Sequence, residues 1–544
     1  MTASAKLAPP RPAPPGRALA ALLASGGLAL GTAACTDLDL EPETTTTPGV
    51  YFVDGDAYES SLARVYSGLA VTGQRGPLGA ADISSLDEGF SSYLRQYWQL
   101  QELPTDNAVI AWGDDGLAPL QSCTWTSQNQ FVRAMYYRVF FQVSLANEFL
   151  RESAPGRLDA RGIDDDDRAR IAGFRAEARF LRALSLWHGL DFFGAIPLYD
   201  ESQAVGGDPP RQAPPREVFD FVLAELDAIE DALPGIGQAE YARADRGALL
   251  MLRANLLLNA EAYVGQDRYA DALAAAEAIV DADAYALDPD YGRLFGADND
   301  LADGVIFPVA FDGESTQTWG GTAYLVHAPL GGSMVDADYG VTGAWQGLRT
   351  TPGLVERFGG EAFDTTDSRA IFFTDGQSYE VGELTDFTDG YAVPKWTNLR
   401  ADGTPGSNVN HPDTDYPLFR LAEAYLLYAE AHLRGGGGSR ERALDLVNAV
   451  RARAYVGDDE EGFLFGRADL TLDNLLDERQ RELYWEGHRR RDLIRFGLFA
   501  GEGYLWAFKG GVPGGTGIPD FRRLYPIPAT EFLANPNLTQ NAGY

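Results

Sequence analysis

The feature that most constrains how this chain folds is a series of segments with apolar residues at helical spacing. These segments follow one another in pairs. Three such segments lie at 216–234, 245–265 and 268–282, and the stretch 418–455 contains a further pair. Only short turns separate the members of a pair, and their Ala-rich faces allow neighbouring helices to cross closely. This arrangement predicts a mainly α-helical protein built from antiparallel helix pairs.

The helical pairs carry the pattern A-x-L-x-x-A-E after short Gly or Asp turns, which resembles tetratricopeptide-type repeats with a period of about 34 residues. We place these repeats at about 128–283 and 416–490. Two other regions, about 71–127 and 285–415, are rich in Gly, Thr, Asp and aromatic residues and lack helical periodicity. We predict large irregular loop insertions there, and loops carried by a rigid scaffold commonly form binding sites.

The first 34 residues have the features of an export signal. Three basic residues precede the apolar stretch Ala18–Leu30, which is too short to span a bilayer. Small residues lead up to Cys35, as they do in a lipobox. This pattern predicts a lipoprotein signal peptide over 1–34 and a lipid on Cys35, with secretion and an unmodified cysteine as the alternative.

The segment 35–52 is acidic, rich in Thr and without periodicity, so we predict a lipidated cysteine followed by a flexible tether. The folded domain then spans 53–544. No other stretch of the sequence approaches 18 uninterrupted apolar residues. The acyl chains are therefore expected to be the attachment to the membrane.

The net charge of the chain is strongly negative. Removal of the first 34 residues takes away three basic residues and no acid, so the charge of −35 becomes −38. Nucleic acids and anionic lipid surfaces repel such a protein, and we exclude them as partners. If Cys35 carries a lipid, the other cysteine, Cys123, has no partner for an intramolecular disulfide.

Motifs of the common enzyme classes are absent from the sequence. It contains no H-E-x-x-H zinc motif, no G-x-S-x-G motif and no phosphate-binding G-x-x-x-x-G-K loop. The four acids at 164–167 stand just before a predicted helix and suit its positive end, with a calcium site as the alternative. We predict no enzyme activity, no catalytic residue and no cofactor. For the cofactor, a structural calcium ion is the alternative.

Acids and arginines near the C-terminus are predicted to form structural ion pairs. Their spacing of three or four residues suits pairing on one helix face. Nearby arginines also keep carboxylates ionised, which is the opposite of what a general acid requires. The predicted pairs join Glu478 to Arg481, and Glu482 and Glu486 to Arg489 and Arg490.

One segment, 177–199, combines a helical pattern with an unusual ending. Its apolar stripe contains Phe180, Leu184, Trp187 and Leu190 and runs into the sequence Phe-Phe-Gly followed by Ile-Pro-Leu. Gly194 permits a left-handed C-cap and Pro197 cannot continue the helix. We predict that this segment is scaffold, in which a helix ends at the glycine and an extended tail follows.

Six segments, in order along the chain, resemble one protein family. They are "QLQELPTDNAVIAWGDDG" (99–116), "EARFLRALSLWHGLDFFGAIPLY" (177–199), "YALDPDYGRLFGADNDLADGVIFPV" (285–309), "LFRLAEAYLLYAEA" (418–431), "LLDERQRELYWEGHRRRDLIRFG" (475–497) and "LYPIPATEFLANPNLTQNAGY" (524–544). Together they resemble the SusD/RagB family of outer-membrane nutrient-binding lipoproteins over essentially all of 35–544. The sequence departs from the family's common pattern at Thr32, Gly304 and Ala542.

The resemblance implies a SusD-like fold and a lipid-anchored protein of the outer membrane that faces the extracellular side. A protein of this family would capture an oligosaccharide without turnover and act as a lid for a SusC-like TonB-dependent β-barrel transporter. A peptide-binding member of the same family is one alternative. A surface glycoside hydrolase and a repeat scaffold that binds only other proteins are two further alternatives.

Nine tryptophans provide aromatic faces, on which the apolar C–H face of a sugar ring stacks. Four lie in scaffold or patterned apolar segments and are predicted to belong to the core: Trp98, Trp125, Trp187 and Trp485. Four lie in polar loops and are candidates for ligand contact: Trp112, Trp319, Trp345 and Trp396. Trp506 stays undecided.

The resemblance implies a ligand site around Trp112, which follows the family's Thr-Asp motif where glycan-binding relatives have a stacking aromatic residue. Arg95 resembles the hydroxyl-binding arginine of such sites, and Asp115 is a candidate acceptor for sugar hydroxyls. The candidates for the opposing wall are Trp319, Tyr324 and Trp345. Packing within the loops is the alternative role for each of these residues.

Overall fold

A computed structural model describes residues 47–544 apart from Ala80, Ser85 and Asp459. The chain divides into two units, 1–51 and 52–544. Within the first unit the described residues form the short helix α1 (Pro48–Tyr51). The predicted signal peptide, Cys35 and most of the predicted tether lie outside the described residues, so those predictions stay untested.

The described part of the second unit is mainly helical, which confirms the predicted fold class. Its α-helices, in chain order, are α2 (Gly55–Ala70), α3 (Tyr93–Glu102), α4 (Leu117–Gln121), α5 (Gln130–Glu152), α6 (Pro155–Arg161), α7 (Asp165–Phe193), α8 (Pro215–Ile229), α9 (Arg246–Leu258), α10 (Ala260–Val264), α11 (Tyr269–Asp281), α12 (Gly321–His327), α13 (Pro352–Val355), α14 (Leu421–Leu433), α15 (Arg440–Ala454), α16 (Leu472–Leu483), α17 (Arg489–Arg495) and α18 (Glu531–Ala534).

Successive helices pack as neighbours along much of the chain, as the paired apolar patterns predict. α5 packs on α7, α7 on α8, α9 on α11, and α14 on both α11 and α15. Small residues face these contacts: Ala248, Ala254, Ala272 and Ala276 are all buried. The helices therefore approach closely and leave their loops to carry other features.

Short strands in the described residues form three two-stranded antiparallel sheets. The strands are β1 (Val109–Ile110), β2 (Ile196–Pro197), β3 (Gln212–Ala213), β4 (Val305–Val309), β5 (Leu348–Arg349) and β6 (Tyr416–Arg420). β1 pairs with β5, β2 with β3, and β4 with β6. The β1–β5 pair joins the two predicted loop regions, because β1 belongs to 71–127 and β5 to 285–415.

The helix α7 begins and ends where the sequence predicts. The Asp164 side chain accepts a hydrogen bond from the Asp167 amide (2.9 Å), so the acidic run caps the helix. At the other end, Gly194 has a φ of +69° and is followed by the extended strand β2. A Cβ atom at Gly194 would lie 2.9 Å from the Leu524 Cδ1 atom. Backbone conformation and packing thus both favour glycine at this helix end.

Replacing Gly194 by alanine is expected to lower the free energy of unfolding by about 1–3 kcal/mol, because the positive φ disfavours a Cβ atom and Leu524 obstructs it. Urea denaturation measures this loss. Gly173, inside α7, is the matched control, since a Cβ atom there meets nothing within 4 Å. Gly173→Ala is expected to stabilise by about 0.5–1 kcal/mol. Equal effects at both positions would contradict the assigned helix end.

The two predicted loop regions are less irregular than the sequence suggests. The region 71–127 contains α3, in which all ten residues are buried, and 285–415 contains the buried helix α12. Both helices are shorter than the window of about 11–18 residues over which helical periodicity is recognised in a sequence. Some polar side chains of α3 have partners inside the protein: Gln101, for example, donates to the Asp191 carboxylate (2.7 Å).

Buried ion pairs do form at the C-terminal acids, but the predicted partners are partly wrong. Glu478 pairs with Arg481 (2.9 Å), as predicted. Glu482 and Glu486 instead pair with basic residues distant in sequence: Arg369, Arg420 and Arg453 for Glu482, and Lys395 and Arg420 for Glu486. The predicted arginines pair elsewhere, Arg489 with Asp106 (2.7 Å) and Arg490 with Asp191 (3.1 Å). Tertiary contacts therefore override the local spacing.

Among the described residues, no helix has both the length and the apolar character that crossing a bilayer requires.

Candidate functional site

The β1–β5 pairing brings together residues that are more than 200 positions apart in sequence. Trp112 follows β1 by two residues, and Trp345 precedes β5 by three. The backbone of Ala111 donates to the Gly347 carbonyl (2.9 Å), which extends the pairing towards the two tryptophans. The Trp345 amide donates to the His327 carbonyl at the end of α12 (3.0 Å). The position of both rings is thus fixed by regular backbone contacts.

Four aromatic residues form a continuous series, which we call the aromatic cluster: Trp112, Trp319, Tyr324 and Trp345. The ring centroids are 5.9 Å apart for Tyr324 and Trp112, 6.2 Å for Trp112 and Trp345, and 6.1 Å for Trp345 and Trp319. Successive rings are tilted by 65°, 46° and 56°. The sequence-predicted aromatic residues of both loop regions therefore lie together.

The accessibility of the cluster rises from one end to the other. Tyr324 is fully buried, Trp112 and Trp345 are half-buried, and Trp319 is 37% exposed. Tyr324 therefore supports Trp112 from behind, while the three tryptophans present ring surface to solvent. Ligand contact by each of these residues stays a prediction.

The Trp112 ring is held in one orientation. Its Nε1 atom donates to the Trp345 carbonyl (2.9 Å). Gly347 lies directly against the ring, since a Cβ atom at this position would come within 2.6 Å of Cε2. A fixed ring loses little conformational entropy when a ligand stacks on it.

Arg95 lies beneath the aromatic cluster, and its side chain has no hydrogen-bond partner in the described part of the chain. The residue is 4% exposed, and its guanidinium carbon lies 4.4 Å from the Tyr324 ring centroid, 4.7 Å from that of Phe90 and 5.5 Å from that of Trp112. The buried Nε and Nη2 atoms have no acceptor among the described residues. Burial lowers the pKa of Arg95, and Tyr324 and the Asp114 carboxylate partly offset this effect.

A buried guanidinium normally has its donors satisfied, because each orphaned polar group costs free energy. Arg95 keeps its position through contacts with aromatic faces, which attract the cation but accept none of its in-plane hydrogen bonds. The arrangement therefore holds a rigid, positively charged donor ready for acceptor atoms of a ligand.

Asp115 and Asp114 have different surroundings, and the role of Asp115 as an acceptor for sugar hydroxyls stays a prediction. Asp115 is exposed, and its backbone carbonyl accepts from Gln130 Nε2 (2.7 Å). The charge of Asp114 acts on Arg95 and Tyr324. Which of two consecutive acids turns towards the cluster depends on the backbone of the turn before α4, which the sequence pattern does not reveal.

Glu88 is a further residue of this site that the sequence analysis missed. Its carboxylate accepts hydrogen bonds from the Thr318 hydroxyl (2.6 Å) and the Trp319 amide (2.9 Å), and also from the Thr72 hydroxyl. It thereby ties the segment that carries Trp319 to the first loop region. No motif marks Glu88, because its role depends on contacts with residues more than 200 positions away.

Two histidines also support the cluster and were not predicted. The His327 ring stacks on Trp345 (centroids 4.8 Å apart, 15° between planes), and His411 packs on Trp319 (4.4 Å). Burial lowers the pKa of both histidines. They act as additional flat rings behind the tryptophans.

The other tryptophans belong to the core. The predictions for Trp98, Trp125, Trp187 and Trp485 are confirmed, since each is fully buried, and Trp506 is 4% exposed. Trp396 was a candidate for ligand contact, but it is fully buried and stacks on Tyr416 of β6 (5.2 Å, 7° between planes). That part of the tryptophan prediction is wrong, because Tyr416 and Phe295 pack against the ring and exclude solvent from it.

Among the described residues, no group of three or more His, Cys, Asp or Glu side chains is placed to hold a metal ion. Two of the four acids at 164–167 have structural contacts instead. Asp164 caps α7, and Asp167 accepts from the Gly55 amide (2.8 Å) and pairs with Arg170 (3.1 Å).

Comparisons with known proteins give a consistent assignment. A family model for the SusD family matches residues 365–544. Starch-binding protein SusD of Bacteroides thetaiotaomicron is 34% identical over 574 aligned positions, which cover 97% of this chain and 98% of that protein. SusD-like protein P2 of Formosa agariphila is 25% identical and covers 79% of this chain and 85% of its own.

Solved structures share the fold at lower sequence identity. A SusD superfamily protein of Bacteroides thetaiotaomicron has a TM-score of 0.68 and 19% identity, covering 90% of this chain and all of its own. Surface glycan-binding protein A of the same species, solved in complex with laminarihexaose, has a TM-score of 0.67 and 19% identity, covering 90% of this chain and 99% of its own. The similarity to starch-binding protein SusD extends over nearly the whole of both chains, and this chain belongs to the SusD family.

Proposed function

We propose that this protein binds a polysaccharide or oligosaccharide at the aromatic cluster and does not cleave it. The observation that carries the proposal is the Arg95 guanidinium, which is buried and unpartnered directly beside half-exposed tryptophan rings. Sugars need both features at once, because one face of a pyranose is apolar and its rim carries hydroxyl groups. Trp112, Trp319 and Trp345 offer the faces, and Arg95 offers the hydrogen bonds.

The likeness to starch-binding protein SusD supports this proposal, since its name records a polysaccharide ligand and it matches nearly the full length of both chains. Glucans such as starch are therefore the first ligands to test. The tilts of 46° and 56° between successive tryptophan rings suit a polysaccharide that turns along its length, because a flat chain cannot stack on all three rings.

We further propose that the protein is held at the outer membrane by a lipid on Cys35 and faces the outside of the cell. Family membership also supports a SusC-like TonB-dependent transporter as the partner, with this protein acting as its lid. Binding without cleavage suits such a role, because the cargo has to leave the site intact.

Trp112→Ala is expected to weaken glycan binding by about 30-fold or more, since a central aromatic residue of a binding site contributes on the order of 2 kcal/mol. Calorimetric titration of the chain from Thr36 onwards against soluble starch, laminarin and other soluble polysaccharides measures the loss. Tyr425→Ala, on α14 and outside the cluster, is the control and should bind as the wild type does. Release of shorter sugars during incubation would contradict the non-enzymatic proposal, and binding of basic peptides alone would favour the peptide alternative.

A further inference from the structure

A groove of about 800 Å³ lies along α5 and is lined by aromatic rings. Tyr136, Tyr137, Phe140 and Phe141 come from successive turns of the helix, and Tyr199 faces them with its ring nearly parallel to that of Phe140 (6.4 Å, 20°). Tyr137, Phe140, Phe141 and Tyr199 are half-buried and so keep accessible ring surface. We call this surface the α5 groove. None of the ligand-binding residues predicted from the sequence lines it.

Hydroxyl and carboxyl groups are distributed among the rings of the α5 groove. The Tyr137 hydroxyl contacts Thr530 Oγ1 (2.9 Å) and the Tyr199 hydroxyl contacts Ser144 Oγ (3.1 Å), while Glu531 also lines the groove. The Tyr136 hydroxyl is buried and has no hydrogen-bond partner among the described residues. A buried hydroxyl of this kind needs an acceptor or donor from elsewhere. The groove therefore combines apolar faces with unsatisfied polar capacity.

One segment of chain contributes residues to both the α5 groove and the aromatic cluster. Asp82 and Ile83 line the groove, and Glu88 and Phe90, a few residues later, contact Trp319 and Arg95. Helix α5 makes the same link, since its residue Phe131 packs on Phe90 (5.2 Å). Phe141 lies ten residues further along this helix, about 15 Å away. One polysaccharide chain is long enough to reach both surfaces.

We infer that the α5 groove is a second saccharide subsite, which takes a further stretch of the polysaccharide bound at the aromatic cluster. This inference rests on the proposed function. The size of the groove lies within the range of small-molecule sites, and its alternation of ring faces with hydroxyl groups matches the apolar faces and hydroxyl rims of sugars. An apolar peptide would leave the Tyr136 hydroxyl unsatisfied.

Two subsites on one protein affect long and short ligands differently. A hexasaccharide occupies the aromatic cluster alone, whereas a polysaccharide engages both surfaces and gains from the high effective concentration of its second segment. Substitutions that remove the aromatic rings of the α5 groove should therefore weaken binding of the polymer and leave binding of the short sugar unchanged.

The test compares soluble starch with maltohexaose, and laminarin with laminarihexaose, on the chain from Thr36 onwards. For the double variant Tyr137→Ala/Phe141→Ala we expect wild-type affinity for the hexasaccharide and at least about tenfold weaker binding of the corresponding polymer. Tyr136→Phe removes the unpartnered hydroxyl and keeps the ring, so it should stay folded and show the same selective loss to a smaller degree. Tyr425→Ala is the control.

Three outcomes separate this inference from the proposed function. Unchanged affinity of both groove variants for the polymer would overturn the inference and leave the aromatic cluster as the glycan site. A wild-type protein that binds none of the four saccharides would overturn both. In a Trp112→Ala background, we expect residual binding of the polymer, and the additional change Tyr137→Ala/Phe141→Ala should abolish it. Residual binding that survives this additional change would place the second contact elsewhere on the protein.

Discussion

Replacing Glu482 by glutamine is expected to lower the free energy of unfolding by about 3–5 kcal/mol, because removing one partner of a buried ion cluster leaves the other charges uncompensated. The Glu482 carboxylate is fully buried and contacts three guanidinium groups, those of Arg369, Arg420 and Arg453. Glutamine keeps the shape of the side chain but removes its charge. Urea denaturation at pH 7 measures the effect.

The loss of stability in Glu482→Gln should depend on pH, and the ion pairs of Glu482 determine the direction of this dependence. Burial alone would raise the pKa of Glu482, but Arg453, Arg420 and Arg369 outweigh it and lower the pKa to about 2. A carboxyl group with a lowered pKa stabilises the folded state above its ordinary value of about 4.5, and this contribution of about 3 kcal/mol disappears as the pH falls towards 2. The difference between wild type and Glu482→Gln should therefore shrink steadily below about pH 4.5.

An exposed ion pair provides the matched control. Glu441 pairs with Arg467 at the surface, where both side chains are about two-thirds exposed. Glu441→Gln is expected to change stability by less than about 1 kcal/mol. If Glu482→Gln behaves like this control at pH 7, the buried cluster does not hold the C-terminal helices in place.

Replacing Arg95 by methionine is expected to abolish most glycan binding with little change in stability. Hydrogen bonds from a charged donor to a ligand contribute about 1.5–3 kcal/mol, so the affinity should fall about 10- to 100-fold. The buried guanidinium has no hydrogen-bond acceptor among the described residues. Removing the guanidinium relieves the cost of its desolvation, and this gain compensates for the lost attraction to the aromatic rings. The free energy of unfolding should therefore stay within about 1 kcal/mol of the wild type.

Arg349 is the control, as a fully buried arginine whose donors are satisfied. Its guanidinium donates to the carbonyls of Asp389 (2.8 Å), Leu384 (2.9 Å) and Gly347 (3.2 Å). Arg349→Met removes one hydrogen bond from each of these carbonyls and is expected to destabilise by about 2–3 kcal/mol. If Arg95→Met destabilises as much and still binds glycan, Arg95 has a structural role only.

Much of the fold follows from local sequence patterns. The apolar stripe of 177–199, its glycine and its Ile-Pro tail correspond to a helix end that the structure confirms at Gly194. Local rules suffice here because the determinants, namely side-chain periodicity, a positive φ and a following proline, all lie within a few residues.

Features that depend on distant contacts could not be predicted in this way. The partners of Glu482 come from 29 to 113 positions away, and Trp396 is buried by a strand that follows it in the sequence. In each case the decisive neighbour is supplied by tertiary packing, which periodicity does not encode.

The candidate site contains both residues that the sequence predicts and residues that depend on distant contacts. Family resemblance pointed to Arg95, Trp112, Trp319, Tyr324 and Trp345, and the structure brings these five together. The choice between Asp114 and Asp115, and the contributions of Glu88, His327 and His411, depend on how the loops turn. Those residues are visible only in three dimensions.

A crystal structure of the chain from Thr36 onwards with bound maltohexaose or laminarihexaose tests the central claim most directly. We predict sugar rings stacked on Trp112, Trp345 and Trp319, with hydroxyl oxygens within about 3 Å of the Arg95 guanidinium. An intact hexasaccharide is expected, since no cleavage is proposed. Sugar density elsewhere on the protein, with the aromatic cluster empty, would contradict the assignment of this site.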